Sequence, residues 1–337
     1  MTRTDQEPAV EIERLKVVFG RNVEAVDGVD LTLRRGEAVA LIGESGSGKS
    51  VTMRAVMRLN PERSSRVEGS IRVGGRDVMA MGRRELASFR GREVAMIFQE
   101  PLLAFDPVYT VGEQITEAIR RHEKLGAGEA RKRALELFER VRIPSPERRL
   151  DAYPHEMSGG MRQRAMIALA LACRPKVLLA DEPTTALDAT VQIQILLLLR
   201  ELQRDLGLSI IFVTHDLGAA VEVADRIAVM YAGRIVEEGS AKQVVTRPRH
   251  PYTIGLLKSR AEGALARGAR LEAIPGSPPD LADRPAGCAF RPRCFLGDDR
   301  CLEAPLAAWP EPGHKVACWR SEAAAASIAR PLAENPA

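Results

Sequence analysis

The residues with the clearest chemical potential form a glycine-rich loop. Residues 43–50 read Gly-Glu-Ser-Gly-Ser-Gly-Lys-Ser and fit the pattern Gly-x-x-x-x-Gly-Lys-Ser. In such a loop the backbone amides and a helix N-terminus face the β- and γ-phosphates of a nucleotide. Lys49 adds positive charge, and the hydroxyl of Ser50 can bind Mg²⁺. The other expected nucleotide-binding residues of this segment are Gly43, Glu44, Ser45, Gly46, Ser47, Gly48 and Val51.

The context of this loop supports the interpretation. The apolar run at 38–42 predicts a buried strand, and residues 51–59 predict a helix. A second apolar run, at 177–180, ends in the paired carboxylates Asp181 and Glu182. We expect Asp181 to hold Mg²⁺ through water and Glu182 to act as general base on the attacking water. Two acids at a strand end could also form an ordinary solvated turn, but beside a phosphate loop that alternative is weak.

Length and composition limit the class of protein. With 337 residues, the chain is too long for one small core, so we expect a large α/β domain with an appendage. The net charge is +4 and aromatic residues make up 4%, and no basic stripe with interleaved aromatics indicates nucleic acid as a partner. No window approaches the ~18 apolar residues of a membrane helix. The first residues lack the apolar core of a secretory signal, so we expect a cytoplasmic protein.

The chain divides into regions of different pattern. Residues 15–19 and 29–33 have the period of strands, whereas 113–142 have helical spacing without strand candidates. We therefore expect an N-terminal antiparallel β-subdomain and a helical subdomain inserted at about 100–160. A further buried parallel strand is predicted at 209–214.

The composition changes after about residue 239. Twelve of the 21 prolines and four of the five cysteines follow this point. We expect a nucleotide-binding domain at 1–240 and a separate, irregular, Cys- and Pro-rich extension at 241–337.

A second glycine motif, Met-Ser-Gly-Gly-Met at 157–161, precedes a helical pattern. Ser158, Gly159 and Gly160 would open that helix and form a second anion site. Here the sequence resembles ATP-binding cassette (ABC) ATPases, whose signature Leu-Ser-Gly-Gly-Gln closes over the γ-phosphate bound by a partner subunit. Met replaces the Leu and the Gln, and the second replacement is common among peptide-importer members. The resemblance covers roughly residues 9–240 and implies a P-loop NTPase core.

The same resemblance assigns roles to further residues. Gln99 lies in Phe-Gln-Glu-Pro, which is similar to the Q-loop, and would contact Mg²⁺ and the attacking water. Asp188 ends Ala-Leu-Asp, which is similar to the D-loop between two subunits. His215 follows a predicted buried strand and would be the switch histidine at the γ-phosphate. Phe19 stands where the family places an adenine-stacking aromatic, although packing in the core explains Phe19 equally well.

Within the family, residues 153–164 closely resemble oligopeptide and dipeptide importer ATPases, and His-Pro-Tyr-Thr at 250–253 strengthens the likeness. Nickel and glutathione importers share this subfamily. The resemblance implies a peripheral ATPase subunit at the cytoplasmic face of the membrane. Its partners would be a second ATP-binding subunit, commonly in a heterodimer, two transmembrane permease subunits and an extracytoplasmic solute-binding protein. The alternative class is a soluble ABC ATPase acting on nucleic acid or ribosomes; those usually have two cassettes or a long coiled-coil insertion, and this sequence has neither.

Four cysteines of the extension could hold a cofactor. Cys288, Cys294, Cys301 and Cys318 have the spacing C-x5-C-x6-C-x16-C. Disulfides are disfavoured in the cytoplasm, so the cluster suggests a structural metal site. Four thiolates suit either Zn²⁺ or a [4Fe-4S] cluster, and free thiols are a third possibility. The C-x2-C pairs typical of zinc are missing, and the resemblance of residues 287–294 to peptide-importer ATPases favours the iron-sulfur cluster.

Overall fold

Two β-sheets and the helices around them position the predicted site. The computed structural model describes residues 7–184, 187–215, 217–259 and 274–329. The strands are β1 (Val10–Phe19), β2 (Val23–Leu33), β3 (Ala38–Ile42), β4 (Ser65–Val73), β5 (Arg76–Asp77), β6 (Val94–Ile97), β7 (Val177–Asp181), β8 (Ser209–Thr214), β9 (Arg226–Tyr231), β10 (Arg234–Ser240), β11 (Ala308–Glu311) and β12 (His314–Val316). The helices are α1 (Lys49–Val56), α2 (Arg83–Arg92), α3 (Val111–His122), α4 (Ala127–Arg140), α5 (Pro146–Leu150), α6 (Gly159–Leu171), α7 (Ala189–Leu206), α8 (Leu217–Val223), α9 (Ala241–Thr246), α10 (Pro251–Lys258) and α11 (Ser321–Ala329).

The larger sheet has the strand order β11-β12-β10-β9-β3-β8-β7-β6. Its central strands β9, β3, β8, β7 and β6 run parallel. Every residue of β3, β7 and β8 is buried, as expected of parallel strands covered on both faces. Ile42 pairs with Thr214, and Asp181 pairs with Val213. The carboxyl ends of β3, β7 and β8 therefore meet at one edge, which is where ligands bind in parallel sheets.

The N-terminal sheet is antiparallel, with the order β2-β1-β4-β5. This confirms the predicted β-subdomain, although its first two strands are longer than the pattern indicates. Register shifts interrupt the pairing of β1 with β2 between Ile12 and Val17, and Arg14 has a positive φ of 48°. Such bulges change the face that successive side chains occupy, so the alternation in the sequence is visible for only part of β1.

The predicted helical region forms two long helices, α3 and α4. Thr110 caps α3, since its Oγ1 accepts from the amide of Glu113 at 3.2 Å and its own amide donates to the Glu113 carboxylate at 2.8 Å. This reciprocal pair fixes the start of the helix. Ile115 and Ile119 on α3 and Phe138 on α4 are fully buried in the main core. The helical subdomain is therefore held by a shared apolar face.

The extension is less irregular than the sequence predicts. It contributes α9, α10 and the hairpin β11–β12, and Val316 of β12 pairs with Glu237 of β10. The hairpin thus belongs to the larger sheet. Strands of four and three residues are too short for a period of two to be recognised in a sequence.

A buried carboxylate fixes this extension to the sheet. Glu237 accepts from the amides of Arg249 and His250 at 2.7 and 2.9 Å. Its Oε1 also lies 2.7 Å from Nε2 of His314, and both side chains are 0% exposed. Burial lowers the pKa of His250 to about 4, and Nδ1 of this residue accepts from the amide of Tyr252 at 3.1 Å. The amides of Arg249 and His250 and the ring of His314 all belong to the extension, so the sheet and the extension share one polar network.

Candidate nucleotide site

The glycine-rich loop follows β3 and opens α1, as its pattern predicts. Gly48 has φ 100° and precedes the helix. A Cβ on Gly48 would lie 2.4 Å from the carbonyl oxygen of Ala25, and a Cβ on Gly43 would lie 2.1 Å from that of Met230. The loop is thus pressed against the backbone of β2 and β9, and side chains at these two positions are excluded.

Lys49 lies across this loop. Its Nζ donates to the carbonyl oxygens of Gly43 and Glu44 at 2.7 and 2.8 Å and to Oγ of Ser47 at 3.3 Å. The side chain is buried, and burial lowers the pKa of the ammonium while nearby Glu182 opposes this shift. The structure therefore provides a fixed, poorly solvated cation at the N-terminus of α1, which suits the binding of phosphate.

Ser50 and Asp181 form a pair of oxygen donors beside Lys49. Oγ of Ser50 donates to Oδ1 of Asp181 at 2.8 Å. Asp181 is buried at the end of β7, and burial raises the pKa of its carboxyl group. Hydroxyl and carboxylate oxygens are the ligands that Mg²⁺ prefers, so the donor set fits this ion.

Glu182 contacts two other predicted catalytic residues, Gln99 and His215. Its Oε2 accepts from Nε2 of Gln99 at 3.2 Å and lies 3.7 Å from Nδ1 of His215. The backbone of Glu182 has φ 46°, a left-handed conformation that is unusual outside glycine and often found at functional sites. Its amide donates to the carbonyl of Val213 at 3.1 Å. The ends of β6, β7 and β8 thus bring one carboxylate, one amide and one imidazole together.

The second glycine motif lies beside α7. Ser158 caps α6, since its Oγ accepts from the amide of Met161. A Cβ on Gly159 would contact Leu187 at 3.5 Å, and one on Gly160 would contact Val191 at 3.1 Å. Asp188 in turn caps α7 by accepting from the amide of Val191 at 3.0 Å. Ser158, Gly159, Gly160 and Asp188 therefore form a second group of predicted residues, whereas Ala186 of the predicted D-loop lies outside the described residues.

Phe19 ends β1 opposite Val23. Its ring is half-buried and packs against the core between the two sheets. Contact with an adenine ring stays a prediction.

Two residues of the extension contact the phosphate loop, and the sequence analysis missed both contacts. The guanidinium of Arg293 donates to the Glu44 carboxylate at 2.6 and 3.0 Å, and the amide of Glu44 donates to the Tyr252 hydroxyl at 2.8 Å. Tyr252 belongs to the predicted His-Pro-Tyr-Thr segment, but no spacing in the sequence indicates which residue it touches.

The four cysteines of the extension lie near one another. The amide of Cys288 donates to the carbonyl of Cys301 at 3.0 Å. Burial, with added repulsion from the other three thiol groups, raises the pKa of Cys318 to about 12. Burial also raises the pKa of Cys294 to about 11. Within the described ranges, however, no group of three or more His, Cys, Asp or Glu side chains is arranged to hold a metal ion. In the described ranges the four cysteines thus lie near one another but are not arranged around one metal ion.

No helix in the described part of the chain is long and apolar enough to cross a bilayer.

Two family profiles match the chain. One is described as ABC transporter and matches residues 26–185. The other is described as the C-terminal region of oligopeptide/dipeptide transporters and matches residues 236–301.

Several relatives match nearly the whole chain. A protein of Brucella abortus (strain 2308), named for peptide import and ATP binding, is 48% identical over 336 residues, which is 95% of this chain and 99% of the relative. A protein of Sinorhizobium fredii, named as the ATP-binding protein of a peptide ABC transporter, is 48% identical and covers 88% of this chain and 89% of its own length.

Solved structures agree with these relatives. The dimeric bacterial ABC transporter cassette MJ0796 superposes with a TM-score of 0.62 at 28% identity and covers 69% of this chain and 98% of its own. The same cassette bound to ADP and phosphate after hydrolysis gives the same score at 29% identity. The structure of cbiO1 from Clostridium perfringens, part of an ABC transporter complex, also scores 0.62, with 28% identity over 71% of this chain and 91% of its own.

Proposed function

This chain belongs to the ABC transporter family and is an ATPase, and on that premise we propose that it powers the import of peptides across the cytoplasmic membrane. The observation that carries the proposal is the convergence of Lys49, Ser50, Asp181, Glu182 and His215 at one sheet edge. The profile of the extension and the names of the relatives support peptides of the dipeptide and oligopeptide class as the substrate.

We assign the residues of this edge the following roles. Lys49 and the loop amides hold the phosphates, and Ser50, Asp181 and Gln99 are the ligands of Mg²⁺, which neutralises phosphate charge when bound. Glu182 takes a proton from the attacking water, and His215 supports the charge that develops on the γ-phosphate. Catalysis by these groups is mainly positioning and electrostatic stabilisation.

A second subunit completes this site in the proposal. Ser158, Gly159, Gly160 and Asp188 lie at the N-termini of α6 and α7, and in the proposal they form the surface that closes over the partner's γ-phosphate. The dimeric form of the related cassette supports this arrangement. We propose that the second ATPase is a related but distinct chain.

Family membership implies permease partners in the membrane. We propose two permease subunits, an extracytoplasmic solute-binding protein and a peripheral position at the cytoplasmic face. The division of the chain at about residue 240 is likewise our proposal, supported by the second profile, which begins at 236.

Co-purification tests this function. Glu182→Gln would be tagged in its native cell, the membranes solubilised with Mg-ATP, and the bound proteins and small molecules identified by mass spectrometry. Two permeases, a second ATPase and a retained peptide are expected, with Lys49→Met as the matched control that cannot form the ATP-bound dimer. A retained nickel ion or glutathione would change the substrate within the subfamily. Ribosomal or DNA-bound partners without membrane proteins would contradict the transporter assignment.

We further propose that Cys288, Cys294, Cys301 and Cys318 hold a [4Fe-4S] cluster that pins the extension. Each cysteine of such a cluster binds a different iron, so the thiols need not surround one point as they do for Zn²⁺. The cysteine spacing also lacks the C-x2-C pairs typical of zinc sites, which favours the cluster over zinc.

Cys288→Ser is expected to lose most of about four irons per chain and to make the extension several-fold more sensitive to protease. Iron and zinc analysis and limited proteolysis of the purified chain would measure this. Cys173→Ser is the control, because Cys173 is half-buried, lies apart from the extension and contacts the carbonyl of Ala118. An extension as protease-resistant in Cys288→Ser as in the parent would exclude the pinning role, and zinc in place of iron would exclude the cluster.

A further inference from the structure

Glu44 is the second residue of the phosphate loop, and the extension holds it at two points. Arg293 forms a two-pronged ion pair with its carboxylate, with Nη1–Oε2 at 2.6 Å and Nη2–Oε1 at 3.0 Å. Tyr252 accepts from its amide at 2.8 Å. The extension therefore fixes both the carboxylate and the backbone amide of Glu44.

The charge of Glu44 opposes the task of the loop. A carboxylate in this position lies near Lys49, where it opposes the lowering of the lysine pKa by burial, and it would repel the phosphates that the loop must bind. Arg293 neutralises this carboxylate. A two-pronged guanidinium pair also fixes the direction of the carboxylate, which a single lysine charge cannot do.

Arg293 is itself held in place. The residue is 7% exposed, and its Nε donates to the carbonyl of Pro275 at 2.8 Å. The guanidinium carbon lies 5.9 Å from the ring centroid of Tyr231 and 6.0 Å from that of Phe290, within the range of cation–π attraction. The ion pair is therefore preorganised, and forming it costs little side-chain entropy.

Tyr252 is anchored in the same aromatic group. The residue is 0% exposed, and its ring centroid lies 4.6 Å from Tyr231 and 5.3 Å from Phe290. Burial raises the pKa of its hydroxyl group, which keeps the hydroxyl protonated. The bond from the Glu44 amide to this hydroxyl therefore fixes the backbone of the loop at its second residue.

Arg293 belongs to a turn that lies between two of the cysteines. Arg293 immediately precedes Cys294 and ends a single 3-10 turn, Arg291–Arg293. The amide of Arg291 donates to the carbonyl of Cys288 at 3.0 Å, and that of Arg293 donates to the carbonyl of Phe290 at 3.0 Å. A displacement of the turn from Cys288 to Cys294 must therefore move the guanidinium that neutralises Glu44.

We propose that Arg293 and Tyr252 are positioning residues for ATP binding, through which the cysteine-bearing turn of the extension sets the affinity of the phosphate loop. The proposal rests on the proposed function only in taking residues 43–50 as the phosphate loop. Neither residue touches the nucleotide in this scheme, since both act through Glu44.

A double-mutant cycle separates this role from a merely structural one. The dissociation constant of Mg²⁺ with a non-hydrolysable ATP analogue would be measured for the parent, Arg293→Met, Glu44→Gln and the double variant. Arg293→Met leaves the carboxylate unpaired beside the phosphates and is expected to weaken binding about tenfold. Glu44→Gln removes the repulsive carboxylate and should therefore bind several-fold more tightly than Arg293→Met. The double variant should recover to the level of Glu44→Gln.

Controls keep the result interpretable. Arg291→Met alters the same turn, but Arg291 donates from Nε to the carbonyl of Asp298, so parental affinity is expected. Arg293→Lys, which keeps the charge but loses the fork, should lie between the parent and Arg293→Met. A double variant as weak as Arg293→Met, or an Arg293→Met variant that binds like the parent, would overturn the proposal. A parent chain that fails to bind the analogue would instead contradict the assignment of the phosphate loop.

Hydrogen exchange tests the link to the cysteines without relying on turnover. Binding is reciprocal, so a turn that affects the nucleotide must itself respond to the nucleotide. Exchange of the amides at 288–294 is expected to slow severalfold when the analogue binds the parent and to stay unchanged in the double variant. Unchanged exchange in a parent that is saturated with the analogue would exclude the coupling.

Discussion

Glu182→Gln is expected to bind Mg-ATP like the parent and to lose turnover by about 100-fold or more. Glutamine keeps the size of the side chain and its contact to Gln99, found at 3.2 Å in the parent, but it cannot take a proton from water. The left-handed backbone of Glu182 sets the direction of the side chain, and the substitution leaves this backbone conformation unchanged. Binding and hydrolysis should therefore separate completely.

Phosphate release by the chain purified together with its partner subunits, and equilibrium binding of Mg-ATP, would measure the two effects. Glu139→Gln is the matched control, since Glu139 is exposed on α4 and its loss of charge should change neither. Hydrolysis by Glu182→Gln within a few-fold of the parent would remove Glu182 from the role of general base.

Lys49→Met is expected to weaken the binding of Mg-ATP by about 100-fold or more while the fold persists. Lys49 is the buried cation of the loop, and burial already lowers its pKa. Methionine has a similar apolar stem, so the substitution removes the charge without opening a large cavity. What is lost is the attraction to phosphate in a poorly solvated site.

Analogue binding and thermal denaturation would be compared with Lys176→Met. Lys176 is largely exposed and pairs with Glu93 at 3.0 Å, so its loss removes the same charge from the chain with little effect on binding. Parental affinity in Lys49→Met would show that this lysine does not hold the phosphates, whereas a large fall in melting temperature would show that its main role is structural.

Much of the fold could be predicted because local patterns encode it. Apolar runs such as 38–42 and 177–180 became buried parallel strands, and the topology of parallel strands places their ends together. The sequence alone could thus relate Asp181 and Glu182 to the phosphate loop, and the family resemblance added His215. The helical spacing at 113–142 likewise became α3 and α4.

The remaining features depend on contacts that no local pattern encodes. Glu44 and Arg293 are separated by 249 positions, and nothing in either segment specifies the other. The hairpin β11–β12 is too short to carry a period, and the bulges of β1 hide its length. Longer-range packing decides such features, and propensity alone cannot reveal them.

Because β12 pairs with β10, the extension protects the whole chain from aggregation. Without residues after Ser240, β10 would become the exposed edge of the larger sheet, with unpaired amides and carbonyls open to another strand. Glu237 would also lose its partners from Arg249, His250 and His314. A cassette shortened to its nucleotide-binding part would therefore tend to aggregate through this edge. In the full chain the extension covers the edge strand and prevents such pairing.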